Sequence, residues 1–169
     1  FATDIVLCHD GGFMLGGFTR SFGPLAGYAC GGDWYLVKTD SLGNVEWQNH
    51  YGNPEHDDGD CIADLVMTQD SGYLVTGLYA MYNTHPQLCN VNVYFKGRIL
   101  KLDKNYNIEW DRLYNETSVS TWIGSIHEKS NGEFIAFGGA IDSNWISRNC
   151  IYSLDEIGDS LWRKEFNYL

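Results

Sequence analysis

A threefold internal repeat is the feature of this sequence that most restricts what the chain can fold into. The first copy of its most regular block spans residues 10–17, and similar blocks follow at 70–77 and 131–138. Each block opens on a short polar turn, whose tip favours a residue with positive φ, and continues as an apolar run. The repeat therefore predicts the same small antiparallel β unit three times in succession.

A second motif follows each block and completes the unit. In every copy a Trp stands seven positions after an Asp, and an aromatic residue follows the Trp four positions later. With the apolar run that precedes each block, this predicts four short strands per copy. We interpret the Asp as a cap for the backbone N–H groups of its own turn, and the Trp as cover for the flank of its sheet. The motif residues are Asp40, Trp47 and Tyr51, then Asp103, Trp110 and Tyr114, then Asp155, Trp162 and Phe166.

Four short strands per repeat are typical of a β-propeller blade. We therefore predict an all-β chain of three four-stranded antiparallel blades, at residues 1–59, 60–120 and 121–169, which together form one partial propeller domain. Propellers usually close with about four to eight blades, so three would leave an apolar face uncovered on the first and third blades. Either the chain is part of a longer propeller, which its beginning at Phe1 favours, or two copies pair into a six-bladed ring.

Charge limits the partners of the chain. The formal net charge is −11, which argues against nucleic acid and against an anionic membrane surface, because both attract Lys and Arg. No apolar run approaches the roughly 20 residues of a membrane span. We expect a protein partner, further blades of the same chain, or a homodimer that completes a ring, without insertion into a membrane.

Loop lengths vary most between the second and third strands of each blade. In a propeller these loops and the links between blades emerge on one side, here at 20–33, 52–60, 80–96, 115–121 and 141–148. Aromatic residues in these loops are candidates for contacts with proteins or sugars, and the alternative is that they roof the core. The interaction candidates are Tyr28, Tyr82, Trp122 and Trp145, with Phe22 and Tyr79 beside them.

The pattern in the first copy resembles a repeat of secreted bacterial β-propellers, which are common in Bacteroidetes-type surface proteins that carry a type IX secretion sorting domain. Residues 10–17 and 34–52 carry the resemblance most closely, and the later copies are more degenerate. The Asp-x-x-Gly-x-x-x-Trp element is also similar to the quinoprotein repeat, and the stretch 138–162 is similar to kelch. The resemblance implies export, a secreted or cell-surface location, and no enzymatic activity.

Export would permit disulfide bonds among the five cysteines. We expect Cys30, Cys61, Cys89 and Cys150 on one side of the propeller, whereas Cys8 lies at the opposite end of its strand. The predicted pairs are Cys30–Cys61 and Cys89–Cys150, with Cys8 free and buried. The alternative is that all five are reduced thiols, because connectivity cannot be deduced from sequence.

No residue pattern indicates a catalytic site, a cofactor or a metal. The acidic link 53–60, with Asp57, Asp58 and Asp60, has the carboxylates that Ca²⁺ prefers, but it lacks the order of an EF-hand loop and is better interpreted as a solvated turn. The glycine pairs 16–17 and 138–139 are strand residues that permit close packing. We therefore predict a non-enzymatic extracellular scaffold for protein contacts, within a large surface or secretion-linked assembly. The alternative is a carbohydrate-binding or adhesive module, and an enzyme domain is the least supported class.

Overall fold

The computed structural model describes residues 1–22, 32–52, 60–82, 93–114 and 120–166. These residues form twelve β-strands and no helix, so the prediction of an all-β chain is confirmed. The described ranges accordingly hold no helix of the length and apolarity that a membrane crossing requires. The strands are β1 (Ala2–Leu7), β2 (Phe13–Thr19), β3 (Asp33–Thr39), β4 (Val45–Tyr51), β5 (Cys61–Met67), β6 (Tyr73–Tyr82), β7 (Val93–Leu102), β8 (Ile108–Tyr114), β9 (Ser120–Glu128), β10 (Phe134–Ile141), β11 (Ser147–Leu154) and β12 (Ser160–Phe166).

The strands form three four-stranded sheets, and each sheet is built from one copy of the sequence repeat. The strand orders are β1-β2-β3-β4, β5-β6-β7-β8 and β9-β10-β11-β12, and all neighbouring strands are antiparallel. We refer to them as the first, second and third sheets. The predicted three four-stranded antiparallel units are therefore confirmed. The described residues leave the three sheets separate and do not close them into a ring.

The turns have the geometry that their sequence predicts. In the third hairpin of the first sheet, Oδ1 of Asp40 accepts two backbone N–H groups of its own turn, both at 2.8 Å. Asp103 and Asp155 cap the equivalent turns of the other two sheets in the same way. The tip residue of the first hairpin has a positive φ in every sheet, with 82° at Gly11, 67° at Ser71 and 84° at Gly132.

The sheets pack face to face in chain order. β5 lies against β1 and β2, and β9 lies against β5, β6 and β7. Since alternate residues of a strand point to opposite faces, the second sheet buries one face against each neighbour. The core between the first and second sheets includes Met14, Leu36, Ile62, Val75 and Leu100. The core between the second and third sheets includes Leu74, Ile99, Ile123, Ile126 and Tyr152.

Two predicted loops are shorter than expected. The segment 80–96 is partly strand, because the pairing of β6 with β7 continues outward to Tyr82 and Val93. The segment 141–148 is a tight turn, because Ile141 at the end of β10 pairs with Ser147 at the start of β11. The sequence pattern predicts that Cys150 begins a strand, but Cys150 lies within β11.

Glycine on the second strand of each sheet allows the first strand to approach closely. The register of β5 shifts between Ile62 and Asp64, and this bulge turns the Cys61 carbonyl towards β6. A Cβ on Gly77 would lie only 2.0 Å from the Cys61 carbonyl oxygen, and Gly17 and Gly138 face an equivalent obstacle. The interpretation of the glycine pairs as strand residues that permit close packing is confirmed.

Candidate interaction surfaces

The second sheet is covered on both faces, so its two junctions show what a neighbouring sheet buries. At the first junction, Oδ2 of Asp4 on β1 accepts the backbone N–H of Leu65 on β5 at 2.8 Å. At the second junction, Oδ2 of Asp64 on β5 accepts the backbone N–H of Ile126 on β9 at 2.9 Å. The register places Ser125 at the equivalent position of the third sheet. The third sheet therefore lacks the carboxylate that ties the other two sheets to their followers.

The Trp on the outer strand of the first sheet and of the second sheet packs against a turn of the following sheet. The Trp47 ring stacks on Tyr106, with 4.7 Å between the ring centroids. The indole Nε1 of Trp110 donates to the Glu156 carbonyl oxygen at 3.2 Å, and its ring lies so close to Gly158 that a Cβ there would be 2.8 Å away. The motif Trp thus covers a junction between sheets, which sharpens the predicted role in covering the flank.

A buried lysine in each of the first two sheets binds two carboxylates. Nζ of Lys38 lies 2.7 Å from Oδ2 of Asp10 and 2.8 Å from Oε2 of Glu46. These contacts tie the turn between β1 and β2 to β3 and β4. The equivalent trio of the second sheet is Lys101, Asp70 and Glu109, with both ion pairs at 2.8 Å.

Ion pairing keeps these groups charged. Burial alone would lower the pKa of Lys38, but its hydrogen bonds to Asp10 and Glu46 outweigh burial and hold that pKa above its ordinary value. Burial would raise the pKa of Asp70, yet hydrogen bonds from Lys101 and other donors lower it to about 2. Lys38 and Asp70 therefore stay charged near neutral pH, and their ion pairs connect neighbouring strands.

The third sheet rearranges this trio. Ser153 occupies the strand position of Lys38 and Lys101. The cation comes instead from Lys129, which donates to Oγ of Ser153 at 2.9 Å and to Oε2 of Glu133 at 3.0 Å. The third sheet consequently presents a neutral hydroxyl where the other two bury an ammonium group.

A buried arginine crosses the first junction. The guanidinium of Arg98 lies 4.8 Å from the Trp34 ring centroid and forms a two-bond pair with Asp111. It also donates to the Tyr51 carbonyl oxygen of the first sheet at 3.2 Å. Burial opposes the charge, but the Asp111 carboxylate outweighs it and raises the pKa of Arg98. A single Arg in a strand carries no sequence pattern, so the sequence did not predict this contact.

One face of the first sheet is covered by none of the described residues, and we call it the first-sheet face. Ile5 on this face is 56% exposed, whereas its equivalents Leu65 and Ile126 are buried in the other sheets. A shallow pocket of about 230 Å³ opens here beside Phe1 and Tyr35. The face consists of Ile5, Leu7, Phe13, Leu15 and Val37, which the register places on one side of β1, β2 and β3.

The third sheet also has a face that the described residues leave uncovered, which we call the third-sheet face. Phe137 and Trp162 are 48% and 49% exposed there. The apolar side chains of this face are Ile135, Phe137, Ile151, Trp162 and Phe166, and the same register places the exposed Lys164 between the last two. The equivalent residues of the second sheet are Leu74, Thr76, Ile99, Trp110 and Tyr114, all of them buried. Apolar side chains at core positions are thus exposed on both outer sheets, which is typical of an interface.

A histidine–aspartate pair lies where β3 begins beside the end of β4. Nδ1 of His50 is 2.7 Å from Oδ2 of Asp33. The ring of Phe22, one of the loop aromatics, stacks on the imidazole at 4.2 Å between centroids. The pair joins two neighbouring strands, and the phenyl ring covers one side of it.

The predicted interaction residues have different environments. Trp145 is 77% exposed at the tip of the turn between β10 and β11, with a φ of 62°. Trp122 is half-buried on β9 and packs on Gly139, where a Cβ would meet its ring. Tyr82 ends β6, and Tyr28 lies outside the described residues. Of these four, the structure singles out Trp145 as an exposed aromatic side chain.

The described cysteines are free thiols. Cys8 is buried, as predicted, and the Tyr73 hydroxyl donates to its Sγ at 3.3 Å. Cys61 and Cys150 are also free, and their expected partners, Cys30 and Cys89, lie outside the described residues. The two disulfide pairings therefore stay predictions. Burial raises the pKa of the Cys61 thiol, which disfavours the reactive thiolate.

The acidic link is only partly described. Asp60 is buried, and its Oδ1 accepts the backbone N–H of Ala80 at 2.9 Å while its Oδ2 lies 3.7 Å from Arg98. This carboxylate is engaged at the first junction, so Asp60 is not a solvated turn residue. Asp57 and Asp58 lie outside the described residues. Within the described ranges no three His, Cys, Asp or Glu side chains form a group that could hold a metal ion.

The sequence predicted two uncovered faces but not the residues that form them. A signal for one of them is present in the repeat. Phe137 stands where the first two copies have the smaller Gly16 and Thr76, as the alignment of the three blocks shows. No family model matches the chain, and none of the curated proteins matches it in sequence. Its function is therefore inferred from its own residues and their geometry.

Proposed function

We propose that this chain is a non-enzymatic scaffold for protein contacts, built as three blades of a β-propeller, which binds through its first-sheet and third-sheet faces. The observation that carries the proposal is the exposure of apolar side chains at positions that are core in the second sheet. Ile5 and Phe137 are the clearest examples, because their equivalents Leu65 and Thr76 are buried. Apolar surface of this kind on an otherwise well-packed β protein favours association.

The stacking of the sheets supports the propeller architecture. Each sheet is a four-stranded meander from one repeat, and the first strands β1, β5 and β9 lie next to one another. Consecutive blades of a propeller bring their innermost strands together in this way. The hydrogen bond from the Leu65 N–H to the Asp4 carboxylate at the first junction has an equivalent at the second junction, from the Ile126 N–H to the Asp64 carboxylate. The same junction is therefore built twice.

A secreted or cell-surface location, within a surface or secretion-linked assembly, is part of the proposal. It is supported by the resemblance of residues 10–17 and 34–52 to repeats of exported bacterial propellers. The net charge of −11 suits a soluble acidic surface module. Fractionation of the source cells tests this part, and recovery of the full chain in the cytoplasm alone would contradict it.

Photo-crosslinking tests the role of the two faces. Benzoylphenylalanine is placed at Ile5 or at Phe137, and at Leu113 on β8 as a matched exposed position outside both faces. The crosslinked protein is identified and purified, and its affinity for the chain is measured by calorimetry. We expect Leu7→Glu or Ile151→Glu to weaken binding at least about tenfold, since a carboxylate is then desolvated without a partner. The proposal is contradicted if the crosslinker at Leu113 captures the partner as efficiently as the crosslinker at Ile5 or Phe137. It is also contradicted if Leu113→Glu weakens binding as much as Leu7→Glu or Ile151→Glu.

Carbohydrate binding is a second candidate function, favoured by the geometry of Trp145. Its exposed indole stands on a backbone with φ of 62°, at the turn position that Gly43 and Gly158 occupy elsewhere. Asp142 holds this turn by accepting two backbone N–H groups and by pairing with Arg148 at 2.8 Å. A strained position occupied by an exposed aromatic residue suggests use in binding. A glycan array with the wild type and with Trp145→Ala tests it, and an array without any bound sugar removes this candidate.

A further inference from the structure

We propose that the third-sheet face of one copy binds the first-sheet face of a second copy, in the register of the two internal junctions. Made twice, this contact joins two copies into a ring of six sheets. The inference rests on the proposed function and deepens it, because it names the partner of both faces.

Side-chain size is complementary at the centre of the contact. At the first junction, Gly16 leaves room for Ile62, and a Cβ on Gly16 would lie 3.3 Å from Cγ2 of that residue. The register gives Phe137 the position of Gly16, and gives Ala2 the position of Ile62. At the first junction the earlier sheet has the small residue and the following sheet the large one, whereas in the proposed contact the third sheet has the large Phe137 and the first sheet has the small Ala2. A large residue therefore still faces a small one, as core packing requires. The second junction has Thr76 and Ile123 at these positions.

The outer strands supply a second match. Trp110 lies against a turn whose tip is Gly158, with φ of 82°. The first sheet has the same kind of turn with Gly43 at its tip and a φ of 86°, and no atom of the described residues lies within 4 Å of the place where its Cβ would be. Residues 40–44 and 155–159 also share the Asp cap and an aliphatic third residue. The exposed Trp162 can therefore bind on a second copy as Trp110 binds within the chain.

The third-sheet face avoids burying unpaired charge. Ser125 stands where Asp4 and Asp64 stand in the other sheets, and Ser153 stands where they bury a lysine. On the receiving side, the Ile5 N–H already donates to the carboxylate of its own neighbour, Asp4, at 2.8 Å. The contact then buries neither of these ions without a partner, and Lys164, the cation on the outermost strand of the third-sheet face, is exposed and can keep its ammonium group in solvent.

The receiving face keeps the apolar character of the internal junctions. Ile5, Phe13 and Leu15 correspond to Leu65, Tyr73 and Val75 of the second sheet, which pack against the first sheet. At two positions of β3 the first sheet has Val37 and Thr39, where the second sheet has leucines. These smaller residues leave room on the side where the contact places Phe137 and Trp162 of the second copy. The chain therefore carries, on one copy, both halves of a junction that it builds twice internally.

The contact joins two different surfaces, so every copy offers one of each. Such head-to-tail contacts form closed rings when the rotation between copies allows it. Propellers close with about four to eight blades, and three sheets from each of two copies fall within this range. Two copies therefore satisfy both faces and leave neither exposed.

Sedimentation velocity of the 169-residue chain provides the first test. At about 100 µM, where a micromolar Kd is saturated, we expect twice the 19.1 kDa mass of one chain. Ile5→Glu and Phe137→Glu are each expected to raise the dimer Kd at least about 100-fold, because each places an unpaired carboxylate in the contact. Leu113→Glu, outside both faces, should retain the dimer. Circular dichroism and thermal melting verify that the variants are folded, which their exposure in one copy favours.

Mixing the two face variants tests the head-to-tail pairing directly. The Ile5→Glu chain keeps an intact third-sheet face, and the Phe137→Glu chain keeps an intact first-sheet face. Each variant alone should therefore be monomeric, whereas their equimolar mixture should form a two-chain species through one intact contact. A contact between two copies of the same face would leave one variant dimeric by itself and would gain nothing from mixing.

Three results overturn the inference: a wild-type monomer, an assembly that either face variant leaves intact, and a mixture that stays monomeric. A monomer is expected if further sheets of a longer chain or another protein cover the faces. The proposed function is judged separately by the crosslinking experiment. A monomeric chain whose faces still crosslink to a different protein leaves that function in place, whereas a monomer without face-specific crosslinks removes both.

Discussion

Replacing the buried Lys101 by Met separates the ion-pair contribution of the trio from its packing. Met fills the volume of the lysine stem, so no cavity forms, but the Asp70 and Glu109 carboxylates lose their cation. The pKa of Asp70 falls from 3.8 to about 2 in the folded chain, which at 1.36 kcal/mol per pKa unit would amount to roughly 2 kcal/mol. Because the Asp70 side chain is 56% exposed, and because hydrogen bonds from Thr68 and Gly72 also lower this pKa, the part that is lost with Lys101 is about 1 kcal/mol.

The half-exposed Glu109 and the carbonyl oxygen of Leu102, which accepts from Lys101 at 3.3 Å, together add about 1 kcal/mol. We therefore expect Lys101→Met to lower the free energy of unfolding by about 2 kcal/mol. For a chain of this length that corresponds to a fall in Tm of about 4–8 °C, measured by calorimetry or circular dichroism. Lys104→Met, in the exposed turn that follows β7, is the control and should change stability by less than about 0.5 kcal/mol.

The same variant carries a pH signature. Asp70 has a depressed folded pKa, so its contribution is present above its unfolded pKa of 3.8 and is lost as the pH falls through about 2. The stability difference between wild type and Lys101→Met should therefore shrink by most of about 1 kcal/mol between about pH 5 and pH 2. A variant as stable as the wild type at neutral pH, or a difference that does not change on acidification, would refute the reasoning.

Three further substitutions test individual contacts by chemical denaturation. Asp64→Ala should destabilise the chain by about 2 kcal/mol, because the Ile126 N–H loses a charged acceptor. Ser125→Ala, at the equivalent uncovered position, should cost less than about 0.5 kcal/mol. Equal effects of the two substitutions would show that the hydrogen bond to Asp64 does not stabilise the junction. Gly77→Ala should cost about 2–3 kcal/mol, since its Cβ would lie 2.0 Å from a carbonyl oxygen, and a neutral result would show that β5 can move away. Trp145→Gly should stabilise the chain by about 1 kcal/mol through relief of the positive φ, and a loss of stability would mean that the indole packs on the domain.

Local structure was predictable from sequence where the interacting groups lie within the same short segment. Asp40 caps a turn with groups that lie two and four residues away, so the motif alone predicts the contact. The hairpin tips at Gly11 and Gly132 follow from the tolerance of glycine for positive φ. The pairing of the first strand with the second, and of the third with the fourth, follows as well, because tight turns can join only adjacent antiparallel strands.

Contacts between sheets were less predictable, since they join residues with no fixed sequence spacing. Trp47 and Trp110 were predicted to cover a flank, yet their partners in the next sheet could not be identified. In the sequence Arg98 has no feature that distinguishes it from other strand residues. Its contacts with Trp34 and Tyr51 of the first sheet are visible only in the tertiary structure. Asp60 was interpreted as part of a solvated turn, in preference to a calcium site, and is instead buried against the first junction.

The sequence by itself determined that this chain would build one antiparallel four-stranded unit three times, because each repeat contains the same alternation of apolar runs and capped turns. Only the tertiary structure decided which side of each unit is buried. Ile5, Leu65 and Ile126 occupy the same strand position and are all apolar, but burial depends on whether another sheet lies against them. That dependence exposes apolar side chains on the first and third sheets, and it is the physical basis of the proposed function through association.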